Sequence, residues 1–130
     1  MLVIAEEWDS SSRGLLICEK ELWASSAGLA TLGPLLEADC FYEFTDSTVA
    51  LNAMRSYTPS TEAMQQLARA RFACAESKGW RLKAQRVSTH NNLWADMLSR
   101  GRMREVAQQA AALGLSTRQL PVVLLPGMVT

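Results

Sequence analysis

The chain has 130 residues, enough for one ordinary domain, and its 48% hydrophobic content can supply a core and argues against disorder. Its formal net charge is +0, so any nucleic-acid binding would need local basic patches. The three cysteines, Cys18, Cys40 and Cys74, fit neither a disulfide framework nor a zinc knuckle and are expected to be reduced. Acidic residues follow Met1 too early for a signal peptide, and no apolar run reaches the ~20 residues of a membrane span. These features predict an intracellular protein, nuclear or cytoplasmic, that is not secreted and has no membrane partner.

The first third of the chain predicts a strand, a helix and a second strand. Residues 2–8 form a short strand followed by a polar loop. Leucines at helical spacing predict a helix over residues 18–31, which Gly33 and Pro34 end. In Cys40–Thr45 the side chains alternate over two faces that are both largely apolar or aromatic, which predicts a strand covered on both sides.

Two helices and another strand follow. Residues 47–55 form a short helix, and Ser60 or Thr61 caps a longer helix that reaches Lys78. Residues 80–87 alternate between apolar and mostly basic side chains and indicate a strand.

The last third predicts one long helix and a tail. Asn91 or Asn92 caps the helix, which runs to about Leu113 with a weak point at Gly101. The apolar tail, residues 120–126, either lies on the body of the domain or belongs to a following segment. The order of elements predicts an α/β fold with at least one parallel pair of strands.

Three short motifs stand in a characteristic order along the chain. Residues 17–24 read ICEKELWA, residues 45–51 read TDSTVAL, and residues 92–100 read NLWADMLSR. They resemble the first helix, the strand–helix junction and the closing signature of ribonuclease H-like domains from reverse-transcribing retroelements. Trp8 also falls where many of these domains carry a tryptophan. The resemblance covers residues 1–101 and leaves residues 102–130 as a helical continuation and an apolar C-terminal tail.

The resemblance implies a ribonuclease H-like three-layer fold and two-metal hydrolysis of RNA in RNA–DNA hybrids. By that resemblance Glu21, Asp46 and Asp96 are the catalytic residues and the ligands of Mg²⁺ or Mn²⁺, and Asn92 supports the loop before the last helix. Carboxylates suit such a site because Mg²⁺ is a hard cation that prefers oxygen ligands. Two ions can then activate a water and stabilise the leaving oxygen.

The family pattern also has an aspartate on a first, central strand, and no residue here matches it. Asp9 lies too close to Glu21 to leave room for the intervening hairpin. The chain is therefore expected to lack the first strands of the sheet, to be impaired as a nuclease, and to form an oligomer or to miss an N-terminal segment. The alternative is a non-catalytic retroelement remnant that binds nucleic acid or a protein, and a third interpretation is a small α/β domain without a site.

Each candidate ligand also has a purely structural explanation. Asp46 could cap the helix that follows it, Glu21 could be a solvated glutamate in the first turn of its helix, and Asp96 could pair with Arg100 one turn later. His90 is interpreted as a solvated loop residue.

Basic residues are concentrated in the second half of the chain. Arg81 and Lys83 share one face of a predicted strand, and Arg86 and Arg100 follow. A solvated charged surface is the default explanation, and a stripe that follows phosphates is the functional one.

Overall fold

The computed structural model describes residues 1–5, 16–55 and 61–128 and shows a mixed α/β protein with small parallel sheets. Its strands and helices are β1 (Leu2–Val3), α1 (Ile17–Leu32), β2 (Cys40–Thr45), α2 (Thr48–Arg55), α3 (Glu62–Lys78), β3 (Arg81–Arg86), α4 (Leu93–Ser99), α5 (Met103–Ala112) and β4 (Arg118–Gln119). Short 3-10 turns follow α1 and precede α4. Trp8, Asp9 and Ser60 lie outside the described residues.

The larger sheet consists of β2 and β3, which run parallel and pair along their whole length. Cys40 lies opposite Arg81, and the register continues to Thr45 opposite Arg86. Helices α2 and α3 form the connection between the two strands, as a parallel pair requires. The predicted α/β class with a parallel pair is therefore confirmed. β1 and β4 form a second parallel pair of two residues each.

The hydrogen bonds between β2 and β3 involve the odd-numbered residues of both strands. At one end the Arg81 N–H donates to the Asp39 carbonyl at 2.7 Å, and at the other the Val87 N–H donates to the Thr45 carbonyl at 2.9 Å. Because N–H and C=O of one residue point to the same side of a strand, the even-numbered residues direct their backbone groups away from the pair.

The two outer edges of this sheet differ. On β3 the Ala84 carbonyl accepts hydrogen bonds from Arg55 Nε at 3.1 Å and Nη2 at 2.8 Å, so α2 covers that edge. On β2 the outward backbone groups belong to Cys40, Tyr42 and Phe44, and within the described ranges they have no backbone partner. We call these outward groups the open edge of β2.

Helices cover one face of the β2–β3 sheet, and none of the described elements covers the other, which we call the bare face. Phe41 is buried on the covered face, where its ring meets Trp80 edge-on with centroids 5.0 Å apart. On the opposite face Tyr42 and Phe44 are 61% and 63% exposed. The prediction that β2 is covered on both sides is therefore wrong, because no described helix or strand packs over Tyr42 and Phe44.

The core lies among α1, α2 and α3. Leu22 and Met64 are fully buried there and pack with Ala53 and Leu67. Thr61 begins α3 as predicted, since its side-chain oxygen accepts a hydrogen bond from the Met64 N–H at 3.2 Å.

The C-terminal tail lies on this core. Leu125 is buried and packs with Ala30, Ala70 and Cys74 of α1 and α3. The tail backbone is also held, because the Val123 N–H donates to the hydroxyl of Thr31 at 2.9 Å. Of the two placements open for the tail, the structure shows the one on the body of the domain.

The predicted last helix is two helices. Gly101 adopts φ +74°, which separates α4 from α5. A positive φ cannot be continued as a right-handed helix, so this glycine is a break and not only a weak point. None of the described helices is long and apolar enough to cross a membrane.

Candidate functional site

The three predicted metal ligands lie on three different elements. Glu21 lies in α1, in its second turn and not in the first, Asp46 directly follows β2, and Asp96 lies in α4. Within the described ranges no group of three His, Cys, Asp or Glu side chains is placed so that it could hold a metal ion. As placed, these carboxylates do not fit a shared site, and the Mg²⁺ or Mn²⁺ site stays a prediction.

The structural explanation holds for Asp96 and fails for Asp46. Asp96 pairs with Arg100 one turn later at 3.2 Å, and both side chains are accessible to solvent. Asp46 does not cap α2, because the Ala50 N–H donates to the hydroxyl of Ser47 at 3.1 Å.

Asn92 stands at the N-cap position of α4, where the sequence placed it, but its side chain makes no capping hydrogen bond. Its carbonyl accepts the Asp96 N–H at 3.0 Å, as in any first turn. The exposed His90 lies in the turn before α4.

A buried ionic network joins the helices to the sheet. Arg71 of α3 forms an ion pair with Glu43 of β2, and the two side chains are only 4% and 12% exposed. The hydroxyl of Ser25 donates to Glu43 at 3.2 Å, and Arg71 donates to the hydroxyl of Ser26 at 3.4 Å. Every member of the network has a partner, so its contribution is to hold α1, α3 and β2 together.

Sequence reasoning missed this network although the chain contained two signals for it. Arg71 follows Met64, Leu67 and Ala68 at helical spacing and so belongs to the buried stripe of α3. Glu43 lies two residues after the buried Phe41 on β2 and therefore on the same face of the sheet. A charge in each of two buried patterns favours a pair between them.

The four predicted nucleic-acid-binding residues are only partly brought together. Arg81 and Lys83 are exposed and share the bare face of the sheet. Arg86 lies on the opposite face of the sheet, because it is an odd number of residues from Lys83. Arg100 follows α4 and pairs with Asp96.

The bare face combines two aromatic rings with two cations. The register places Tyr42 beside Lys83, Cys40 beside Arg81 and Phe44 beside Gln85. We call these six residues the aromatic–basic face. The two rings stand on alternate residues of one strand, so their Cα atoms lie about 6.6 Å apart. The backbone of the neighbouring strand, which carries the two basic residues, runs about 4.8 Å away.

Among the described residues, no acidic side chain belongs to this face. The carboxylate of Asp39, just before β2, lies 3.9 Å from Arg81, and both side chains are more than two thirds exposed. Such an exposed pair is weak and leaves the arginine available to a phosphate. The sequence pattern indicated the exposed cations of β3, but it predicted that the rings of β2 are buried, so the β2 half of the face was not predicted.

Comparisons of the chain with family models, curated proteins and solved structures found no match.

Proposed function

We propose that this chain binds single-stranded nucleic acid through the aromatic–basic face. The observation that carries the proposal is that exposed Tyr42 and Phe44 lie beside Arg81 and Lys83 on one surface, whose six residues include no acidic side chain. Successive bases of a single strand can stack on successive rings, and cations beside the rings can neutralise the phosphates between them. Bases inside a duplex are already stacked, which makes a single strand the better ligand.

The ring spacing supports this ligand. Two rings about 6.6 Å apart along a strand can each accept the base of one of two neighbouring nucleotides in an extended chain, whose backbone repeat is of similar length. Stacking contributes about 1–3 kcal/mol per base. Two rings and two phosphate contacts predict a dissociation constant of roughly 10⁻⁴–10⁻⁶ M, in the range of non-specific binding.

The ribonuclease H-like interpretation is part of the same proposal. The order strand, two helices, parallel strand and helix supports a ribonuclease H-like arrangement, although the described part of the chain has only two strands in its larger sheet. The carboxylates Glu21, Asp46 and Asp96 lack a common centre among the described donors. The proposed protein is therefore a ribonuclease H-like domain that binds nucleic acid and does not by itself cleave an RNA–DNA hybrid.

Fluorescence anisotropy with a labelled single-stranded oligonucleotide tests the binding. Phe44→Leu keeps an apolar side chain but removes the ring and should weaken binding at least about fivefold, while Phe44→Tyr keeps the ring and should bind like the unchanged protein. Equal binding by the two variants would refute stacking at this face.

The contribution of charge is tested by Lys83→Gln, with Arg104→Gln on the exposed surface of α5 as the matched control. Two phosphate contacts predict a slope of log affinity against log salt of about −1.4 for a single strand, which only Lys83→Gln should make shallower. The same loss from both variants would indicate unspecific attraction.

Cleavage is tested with a labelled RNA–DNA hybrid and Mn²⁺, beside the variant Asp46→Asn. The expected result is an intact hybrid. Metal-dependent cleavage that Asp46→Asn abolishes would overturn the non-catalytic part of the proposal and restore the two-metal prediction.

A further inference from the structure

The open edge of β2 is a strand edge that no described strand pairs with. The backbone groups of Cys40, Tyr42 and Phe44 point outward and have no backbone partner within the described ranges. β2 contains no proline and no lysine, the residues that commonly prevent edge-to-edge pairing. The opposite edge of the same sheet is covered by Arg55.

We propose that the open edge of β2 pairs with the same edge of a second copy of this chain. The two strands would run antiparallel about a two-fold axis through Tyr42. Cys40 would then lie opposite Phe44 of the partner subunit, and all three outward residues of each copy would be used. Each such pair exchanges two hydrogen bonds, which gives about six across the axis.

The side chains near the axis favour a second copy. On the bare face Cys40, Tyr42 and Phe44 are all neutral, so no like charges meet where the strands join. On the covered face the charge of Glu43 is already paired with Arg71. An isologous contact needs such a self-complementary surface.

The basic residues do not oppose this contact. Arg81 and Lys83 lie on β3, which would be separated from the partner's β3 by three strand spacings, or about 14 Å. That separation exceeds the Debye length of about 8 Å at physiological ionic strength, so repulsion between the two basic strands is largely screened.

The dimer would have a four-stranded sheet with the exposed rings at its centre. The rings of Tyr42 and Phe44 from both copies would lie between the two β3 strands, which carry the basic residues. The six-residue β2 buries less surface than the ~1,600 Å² of a standard interface, so the dimer should be weak, with a dissociation constant of roughly 10–100 μM. This inference depends on the open edge and not on nucleic-acid binding.

Sedimentation velocity over concentrations that bracket this range is the test. Phe44→Pro removes one outward N–H donor and no β2–β3 hydrogen bond, whereas Phe44→Ala removes the same ring and keeps the donor. We expect Phe44→Ala to dimerise and Phe44→Pro to need at least about tenfold more protein. A monomer throughout, or equal dimerisation by the two variants, would overturn the proposal.

Two further variants keep the test decisive if Phe44→Pro does not fold, which circular dichroism would show. Tyr42→Lys leaves every backbone donor in place but sets two ammonium groups near the axis, and it should abolish the dimer. Tyr42→Cys, with the three native cysteines replaced by alanine, should give a disulfide-linked dimer on mild oxidation, because paired Cα atoms would lie about 5.5 Å apart.

The matched control for cross-linking is Thr48→Cys in the same background, since Thr48 is exposed at the start of α2 and lies off the open edge. Equal cross-linking of Tyr42→Cys and Thr48→Cys would show random collision and overturn the proposed axis. A dimer that survives Tyr42→Lys would place the contact elsewhere and overturn it as well.

Discussion

Replacing Arg71 by methionine should be among the most damaging single changes in this protein. Methionine retains most of the aliphatic length but removes the guanidinium that pairs with Glu43 and donates to Ser26. Glu43, only 12% exposed, would keep the hydroxyl of Ser25 as its side-chain partner among the described residues. Breaking a buried pair by removing one partner costs about 3–5 kcal/mol, because the remaining charge is left uncompensated.

That loss is a large share of the stability of a domain of this size. Total free energies of unfolding are about 5–15 kcal/mol. A loss of 3–5 kcal/mol should lower the midpoint of thermal unfolding by about 10–20 °C. Urea denaturation followed by circular dichroism measures the change in free energy directly, provided that the slope against denaturant is unchanged.

The matched control is the same substitution in an exposed pair. Arg100→Met removes the partner of Asp96 on the surface of α4 and should cost at most about 0.5 kcal/mol. The double variant Glu43→Leu with Arg71→Met removes both charges and should recover much of the loss, since a buried pair can be replaced by apolar residues at little cost. If Arg71→Met costs no more than Arg100→Met, the network does not hold the helices to the sheet.

Two further predictions concern packing and pH. A Cβ at Gly33 would lie 2.6 Å from the Trp80 ring, so Gly33→Ala should destabilise the protein by about 1–3 kcal/mol. A Cβ at Gly28 would have its nearest contact at 3.8 Å, so Gly28→Ala should stabilise α1 by up to about 1 kcal/mol. The midpoints of thermal unfolding of the two variants should therefore move in opposite directions. The hydrogen bond from Arg102 holds the pKa of Glu105 below its ordinary value. Any stability from this exposed pair is therefore present at pH values above the ordinary pKa and is lost as the pH falls through the lowered pKa. An NMR titration of the carboxyl group that shows a raised pKa would contradict this.

The sequence predicted best those elements whose ends carry their own signals. Thr61 caps α3 with its side chain, and Gly79 ends the helix at φ +68°. Local chemistry of this kind does not depend on what packs nearby, so it can be read without the fold. The prediction of one long last helix was wrong because a glycine can either continue a helix or adopt a positive φ, and Gly101 adopts φ +74°.

The layers around the sheet could not be predicted from alternation. Tyr42 and Phe44 form an apolar pattern that is the same whether a second helix layer exists or not. The sequence pattern indicates that Arg71 and Glu43 are each buried, but their contact across 28 positions is shown only by the fold. The candidate carboxylates were chosen by motif, and a motif fixes the order of residues but not the convergence of their side chains.

The bare face and the open edge both involve β2, but the face uses its side chains and the edge uses its backbone groups, so the two proposals can be tested separately. Phe44 contributes its ring to the face and its backbone N–H to the edge. Phe44→Leu should therefore weaken nucleic-acid binding without affecting the dimer, while Tyr42→Lys should abolish the dimer and leave a cationic face. Phe44→Pro and Phe44→Ala both lack the ring, so the two variants should bind nucleic acid equally weakly while only Phe44→Pro loses the dimer. If dimerisation aligns two faces, a single strand long enough to cross both should shift the monomer–dimer equilibrium toward the dimer, and linkage then requires the dimer to bind that strand more tightly by the same factor.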